Sequence, residues 1–348
     1  MQPLVSILIP AYNAEEWIAE TLDSALAQTW HAKEILVVDD GSTDRTLDIA
    51  RHFMSRGVRV ISQPHQGAAA ARNRALSLSS GDYIQWLDAD DLLAPDKIEK
   101  QLQVAERSAD SRTLLSSEWG RFMYRPARAQ FVPTALWCDL TPTEWLRRKL
   151  AMNLYMQTAT WLVSRALTSA AGPWNIQLLV DDDGEYFGRV LLQSKGVRFV
   201  PESRVFYRTA GGAKSLSYIG PSSRKLDAQF QSMQSHIGYL RSLEDTDRTR
   251  AACVAYLQNA LPLFYPERRD LLEKAERLAT DLGGRLVPPR FSWKYAWIKA
   301  MCGPMQAKRA QSSLREIKWS LVRRWDKARR GAEDGASYPP RRLDIGLT

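Results

Sequence analysis

Over the first 105 residues, short apolar runs alternate with stretches in which apolar positions recur at helical spacing. VSILIP (5–10), EILVVDD (34–40), VRVIS (58–62) and DYIQWLD (82–88) have the length and the branched side chains of buried strands. Between the first two, Asn13 and Glu16 form a capping-box pattern, and Ile18, Leu22, Ala25 and Leu26 share one helical face. A second helix is expected over 44–56, with Leu47, Ala50 and Met54 on one stripe, and an alanine-rich third from about 67 to 78. Pro95 suits the first turn of a fourth, which turns Ile98, Leu102 and Ala105 inward. Strands separated by helices predict βαβ units. The expected class is α/β, a Rossmann-like, mostly parallel sheet flanked by helices. Ligands of such sheets bind beyond the carboxyl ends of the strands. Here those ends carry Pro10-Ala11-Tyr12-Asn13, Asp39-Asp40-Gly41-Ser42 and Asp88-Ala89-Asp90-Asp91.

The pattern becomes mixed over 112–218, with a strand at 112–123, a helix around 143–152, the acidic cluster Asp181-Asp182-Asp183, and a strand pair or bend at 197–208. From about 222 helices dominate. The expected division is a catalytic domain over 1–220, a basic helical region over 221–330 and a disordered tail over 331–348. The 348 residues are 45% apolar, enough for a sizeable core. The net charge of +9 is concentrated: 285–330 holds thirteen Lys and Arg against Glu316 and Asp326, so the remainder is near neutral. In that region Leu314, Ile317, Leu321, Trp325 and Ala328 form one helical stripe, and Trp293, Trp297 and Trp319 add interfacial residues. Two readings follow, a basic amphipathic helix on an anionic membrane or a helix packed on the domain by that stripe. Cys138, Cys253 and Cys302 are scattered and odd in number, which predicts no disulfide framework or zinc site. With no signal-peptide pattern and no apolar run of spanning length, the expected place is the cytoplasm, peripheral to the inner face of the cell membrane. No nucleic-acid motif accompanies the basic region.

The chemistry concentrates in WLDADD (86–91). Asp88 and Asp90, two apart on an extended segment, point the same way. They can share one hard cation, Mn²⁺ or Mg²⁺, which favours oxygen ligands and often binds through one or two carboxylates plus substrate phosphates. The alternative is a solvated acidic loop capping the helix near Pro95. In VVDDGSTD (37–44), Gly41 permits a tight turn and Ser42, Thr43 or Asp44 can cap the next helix. One cap suffices, which leaves a carboxylate able to accept from a base N–H. The absence of G-x-G-x-x-G argues against a nicotinamide dehydrogenase.

SILIPAYN, VVDDGSTD, QGAAAARNRAL (66–76), GDYIQWLDADD (81–91) and DDGEYFGR (182–189) stand in the order and spacing seen in family 2 glycosyltransferases. The chain resembles that family over about residues 3–215. The resemblance implies the GT-A fold and an inverting, metal-dependent transfer of a sugar. The donor is a nucleoside diphosphate sugar, most commonly of UDP, and the acceptor a hydroxyl of a polysaccharide or lipid-linked glycan. It implies that Pro10 and Tyr12 line the base and that Asp40 accepts from it. Arg72 and Asn73 lie near the donor, Asp88 near ribose and metal, Asp90 on the metal, and Asp183 is the general base. Two departures stand out. YRTAGGAKSLS (207–217) lacks the histidine that often reaches the metal, leaving Lys214 or solvent, and the base motif reads Asp-Asp where Glu-Asp is usual. Helical periodicity puts Asp183 on a core face with Phe187, Val190 and Leu191, and Asp182 on a face with Tyr186, Arg189 and Gln193 that turns to solvent or an ion pair. Asp181 or Asp182 is expected to be an N-cap. A non-catalytic binder of nucleotide-sugar or glycan is the competing reading.

Overall fold

Seven consecutive residues of β1 (Val5–Ala11) are buried, because the strand lies at the centre of a sheet covered on both faces. After α1 (Ile18–Leu26), β2 (Lys33–Asp39) pairs parallel to β1. α2 (Thr46–His52) and a 3₁₀ turn (Phe53–Arg56) lead to β3 (Val58–Ser62), parallel to β2. α3 (Ala68–Ser77) crosses back to β4 (Tyr83–Trp86), parallel to β1 on its other side. The computed structural model describes residues 2–108, 110–209, 219, 222–289, 298 and 301–333.

A second sheet stands beside the first. β5 (Leu92–Leu93) precedes α4 (Lys97–Ser108), β6 (Thr113–Phe122) and β7 (Gln130–Phe131). After α5 (Pro142–Met152), β8 (Val163–Ser164) closes the first sheet antiparallel to β4, giving the order β3-β2-β1-β4-β8. α6 (Arg165–Ala171) and α7 (Asp182–Gln193) lead to β9 (Gly196–Arg208), which completes the order β5-β9-β6-β7. The strand pair or bend expected at 197–208 is one bent strand. Its register against β6 slips between Ser117 and Glu118, opposite a Glu202 at φ 62°. α8 (Ser223–Leu243) packs against α5 and α7, α9 (Asp247–Phe264) against α5 and α8, and α10 (Arg269–Asp281) against α9; α11 (Pro304–Glu333) follows. One contiguous buried cluster runs from Val5 to Leu282 and includes side chains of α8, α9 and α10.

Several local expectations are corrected. Asn13 has a left-handed φ of 48° and caps no helix; α1 begins at Ile18 without a side-chain cap. The Asn13 side chain accepts from Thr43 N at 2.8 Å, and its own N–H donates to Ser42 Oγ at 3.0 Å, tying the ends of β1 and β2 together. Asp44 accepts from Thr46 N at 2.9 Å, so α2 starts at Thr46. The stripe of α11 is also not packed inward: Leu314, Ile317, Leu321 and Trp325 are each more than half exposed. Trp293, Trp297, Lys214 and residues 334–348 lie outside the described residues.

Candidate active site

The carboxyl ends of β1, β2 and β4 meet at one edge of the first sheet, as parallel pairing requires. Pro10 is buried beside Val38, and Tyr12 emerges from the strand end 43% exposed. The Tyr12 ring stacks on His65 with centroids 4.2 Å apart. His65 Nδ1 lies 2.9 Å from Asp40 Oδ2. The buried Asp40 carboxylate also accepts from Gln63 Nε2 at 2.7 Å, Gln66 N at 2.9 Å and Gly67 N at 2.7 Å. It therefore fastens the start of α3 to the end of β2. Gly67 has φ 94°, a conformation open to glycine, and brings its N–H within reach of the carboxylate.

α3 delivers Arg72 into the middle of the site. Its guanidinium donates to Asp88 Oδ1 and to Asp182 Oδ2, both at 2.8 Å, and lies 4.4 Å from the Trp174 ring centroid. Burial alone would lower its proton affinity, but Asp182 and Asp88 raise it above the ordinary arginine value. Asn73 turns elsewhere. Its amide donates to Trp174 O at 2.9 Å and accepts from Trp174 N at 2.8 Å, so it positions the tryptophan under Arg72.

The 88–91 loop is held by one arginine that the sequence pattern did not reveal. Arg208, at the end of β9, donates through Nε to Asp90 O and through its backbone N to Asp91 Oδ1, both at 2.7 Å. Its Nη2 reaches Glu20 at 2.7 Å. Asp91 is fully buried and also accepts from Gln157 Nε2, so it is committed to structure. Asp90 differs. No described side chain donates to its carboxylate, and burial together with the charge of Asp88 holds it up at about 6, against the opposing pull of Arg208 and of its own backbone N–H. Asp88, Asp90, Asp91, Asp182 and Asp183 thus surround two guanidiniums, an excess of negative charge suited to a cation. Among the described residues no group of three or more His, Cys, Asp or Glu could cage a metal alone.

At the start of α7 the three acids separate by partner. Asp181, the N-cap residue at φ 55°, accepts from Ser232 Oγ at 2.6 Å. Asp182 belongs to Arg72. Asp183 receives the Thr158 hydroxyl, at 3.3 Å, and the backbone N–H of Gly184. Burial, then the charges of Asp182 and Asp181, push Asp183 up to about 7, with Arg72 opposing. The expectation of a core face and a solvent face is corrected: Tyr186 is as buried as Phe187. α7 is covered on both sides, by α6 and by α8, and Tyr186 stacks on Trp174 at 4.1 Å. The ion pair expected for the Asp182 face is present, with Arg72 as its cation. His65, Thr158, Trp174 and Arg208 escaped the sequence reading; the YR at 207–208 was seen only as a flank of a missing histidine.

Residues 6–147 match the family model described as glycosyl transferase family 2. The chondroitin synthase of Pasteurella multocida is 46% identical over 99 residues, 28% of this chain and 10% of that protein. The chain spans less than half the length of the curated relatives it matches first. The fold is shared with a crystal structure of S. aureus TarS 1-349 in complex with UDP (TM-score 0.61, 17% identity, 80% of each chain). It is also shared with the mannosyltransferase PcManGT of Pyrobaculum calidifontis in complex with GDP-Man and Mn²⁺ (TM-score 0.50, 18% identity, 94% of this chain and 86% of that one). These neighbours identify the α/β architecture as GT-A.

Proposed function

We propose, for a chain that belongs to glycosyl transferase family 2, an inverting transfer of a sugar from a nucleoside diphosphate donor to an acceptor hydroxyl. The observation that carries the reading is the separation of roles among neighbouring carboxylates. Arg72 neutralises Asp88 and Asp182, while Asp183, with no cation bonded to it, keeps a raised proton affinity. A general base works best with a value near the operating pH, and Asp183 at about 7 meets that condition. In this reading Asp183 takes the proton of the attacking acceptor oxygen. The new bond forms opposite the departing diphosphate, so the anomeric centre inverts and one working carboxylate suffices.

Tyr12 and Pro10 line the base, and Asp40 takes a base N–H as the Gln63 or His65 side chain gives way, with its Gln66 and Gly67 bonds holding the carboxylate in place. Asp88 and Asp90 would hold Mn²⁺ or Mg²⁺, which when bound to the donor phosphates neutralises charge on the leaving group. UDP is the favoured nucleotide, in keeping with the UDP named in the TarS structure, and the acceptor is a polysaccharide or lipid-linked glycan, in keeping with the chondroitin synthase match. The basic region 285–330 keeps the enzyme peripheral to the inner face of a membrane. Calorimetry with UDP in Mn²⁺ and in EDTA, followed by a panel of nucleotide-sugars scored for slow donor hydrolysis, tests the core of this reading. Absence of binding and hydrolysis across the panel would leave a glycan-binding protein of the same fold.

A further inference from the structure

We infer that α11 is an interfacial strap, pinned to the protein along one side and laying its opposite, apolar side into an anionic phospholipid bilayer. The inference rests on the peripheral-membrane reading and specifies the surface, the lipid class and the orientation. Lys308 pins one end: its Nζ donates to Tyr265 O at 2.6 Å and to Glu267 at 2.7 Å, at the α9–α10 junction. Asp326 pins the other, accepting from Tyr124 N at 3.0 Å and from Arg125 at 2.7 Å beyond the end of β6. Eighteen residues separate the two pins in sequence. At 3.6 residues per turn that is five whole turns, so Lys308 and Asp326 fall on one side of the helix.

At about 100° per residue, Leu314, Ile317 and Leu321 cluster on the far side, and Trp325 stands at the edge of that stripe, its ring centroid 5.5 Å from the Arg125 guanidinium. Their exposures of 55%, 57%, 61% and 53% agree. A soluble helix docks by its apolar stripe and turns charge outward. α11 does the reverse, holding the body through ion pairs and presenting its apolar stripe outward. Pro304–Glu333 carries nine Lys and Arg against three acids, and Lys318, Arg324 and Arg329 are exposed, two of them in the turns that carry Leu321 and Trp325. An apolar stripe with basic flanks matches an acyl boundary beneath anionic headgroups.

The strap is also joined to the carboxylate loop. Tyr124, bonded to Asp326 through its backbone, lies 5.5 Å from Trp17 ring to ring. Trp17 carries the guanidinium of Arg208 at 4.3 Å, and Arg208 holds Asp90. The docked end of α11 is thus one aromatic pair away from the arginine that fixes the 88–91 loop. An acceptor carried in the bilayer meets the protein at that rim.

The test is co-sedimentation of the full chain with vesicles of phosphatidylglycerol and phosphatidylcholine, against phosphatidylcholine alone, at low and high salt. Binding to the anionic vesicles only, reversed by salt, is expected. Leu321→Glu should weaken it about tenfold or more, the loss of one buried leucine plus a charge on the inserted face. Gln311→Glu makes the same charge change off the stripe and should retain most of the binding. Unchanged thermal unfolding of Leu321→Glu separates this result from misfolding. Binding that is equal in wild type and Leu321→Glu overturns the strap and leaves the peripheral reading standing. A wild type that ignores anionic vesicles overturns both. A lipid-independent dimer, seen by sedimentation velocity and lost in Leu321→Glu, assigns the stripe to a second copy and overturns the strap. UDP calorimetry on the same samples reads the transferase assignment separately.

Discussion

Arg72 bonds to Asp182 and leaves Asp183 to Thr158, so two adjacent carboxylates lie in different electrostatic surroundings. Asp183→Asn should keep UDP affinity and lose transfer by roughly a hundredfold or more, as a lost general base does. In the wild type the transfer rate should rise with pH through about 7 and then level, because the base must be unprotonated. The stability consequence has a definite sign. A folded-state value raised from 3.8 to about 7 makes ionisation of Asp183 oppose folding, so stability declines as pH rises between those values. In EDTA, Asp183→Asn should therefore melt higher than wild type above pH 7, with the gap closing toward pH 4; an equal or lower melting temperature at neutral pH contradicts the buried, uncompensated carboxyl. Asp90 and Asp91 make a second contrast. Asp90→Ala should erase the Mn²⁺-dependent part of UDP affinity without lowering the unfolding midpoint at neutral pH, since its ionised carboxyl also opposes folding. Asp91→Ala, which orphans Arg208 N and Gln157 Nε2, should chiefly lower the unfolding midpoint. Equal UDP affinity in Mn²⁺ and EDTA sinks the metal role. The strand-end residues Tyr12, Asp40, Asp88 and Asp90 were legible because a local pattern places them. Trp174 and Arg208 were not, because each arrives from a distant element by tertiary approach, and His65, just past the end of β3, carries no local pattern that marks it.

At the scale of elements, the strand–helix alternation of the first 105 residues was legible, and the expected helix starts were the weak part. Asn13 looks like a cap in sequence, but its side chain braces the β1 and β2 ends, whereas Asp44 does both, taking Thr46 N at the head of α2 and Glu15 N across the strand ends. The second sheet was illegible as a sheet, since β5 and β7 are two residues each and gain definition only from β9 and β6. Periodicity misjudged α7 because it assumes one buried face. α8 covers the other, and two glycines make room for it. A Cβ at Gly188 would stand 2.8 Å from the Tyr239 ring, which cannot swing away without losing its 2.7 Å bond to Glu185. A Cβ at Gly184 would meet the Asp181 carboxylate. Gly188→Ala should cost about 1–3 kcal/mol by chemical denaturation, the usual range for overpacking. A neutral result would mean that α8 yields easily and does not buttress the acids at the head of α7.

Across the whole molecule, the division expected near 220 follows composition, while the buried cluster from Val5 to Leu282 crosses it. The β-rich part and α8–α10 should therefore unfold together, with near-ultraviolet dichroism and intrinsic fluorescence giving coincident midpoints. Separate midpoints would establish a helical domain with a core of its own. The basic character of the C-terminal region was legible in sequence, and so was its apolar stripe. Which way the stripe faces was not, because that depends on Asp326 finding Arg125 two hundred residues away. The pairing has a consequence for how this segment can vary. Between Lys308 and Asp326 the chain acts as a gauge with two simultaneous tolerances, one of phase and one of length. Inserting a single residue rotates one pin about 100° away from its socket, and inserting seven restores the phase but adds about 10 Å to a span of about 27 Å. No insertion meets both tolerances, so this stretch should admit substitutions freely on its outer side and resist any change in residue count.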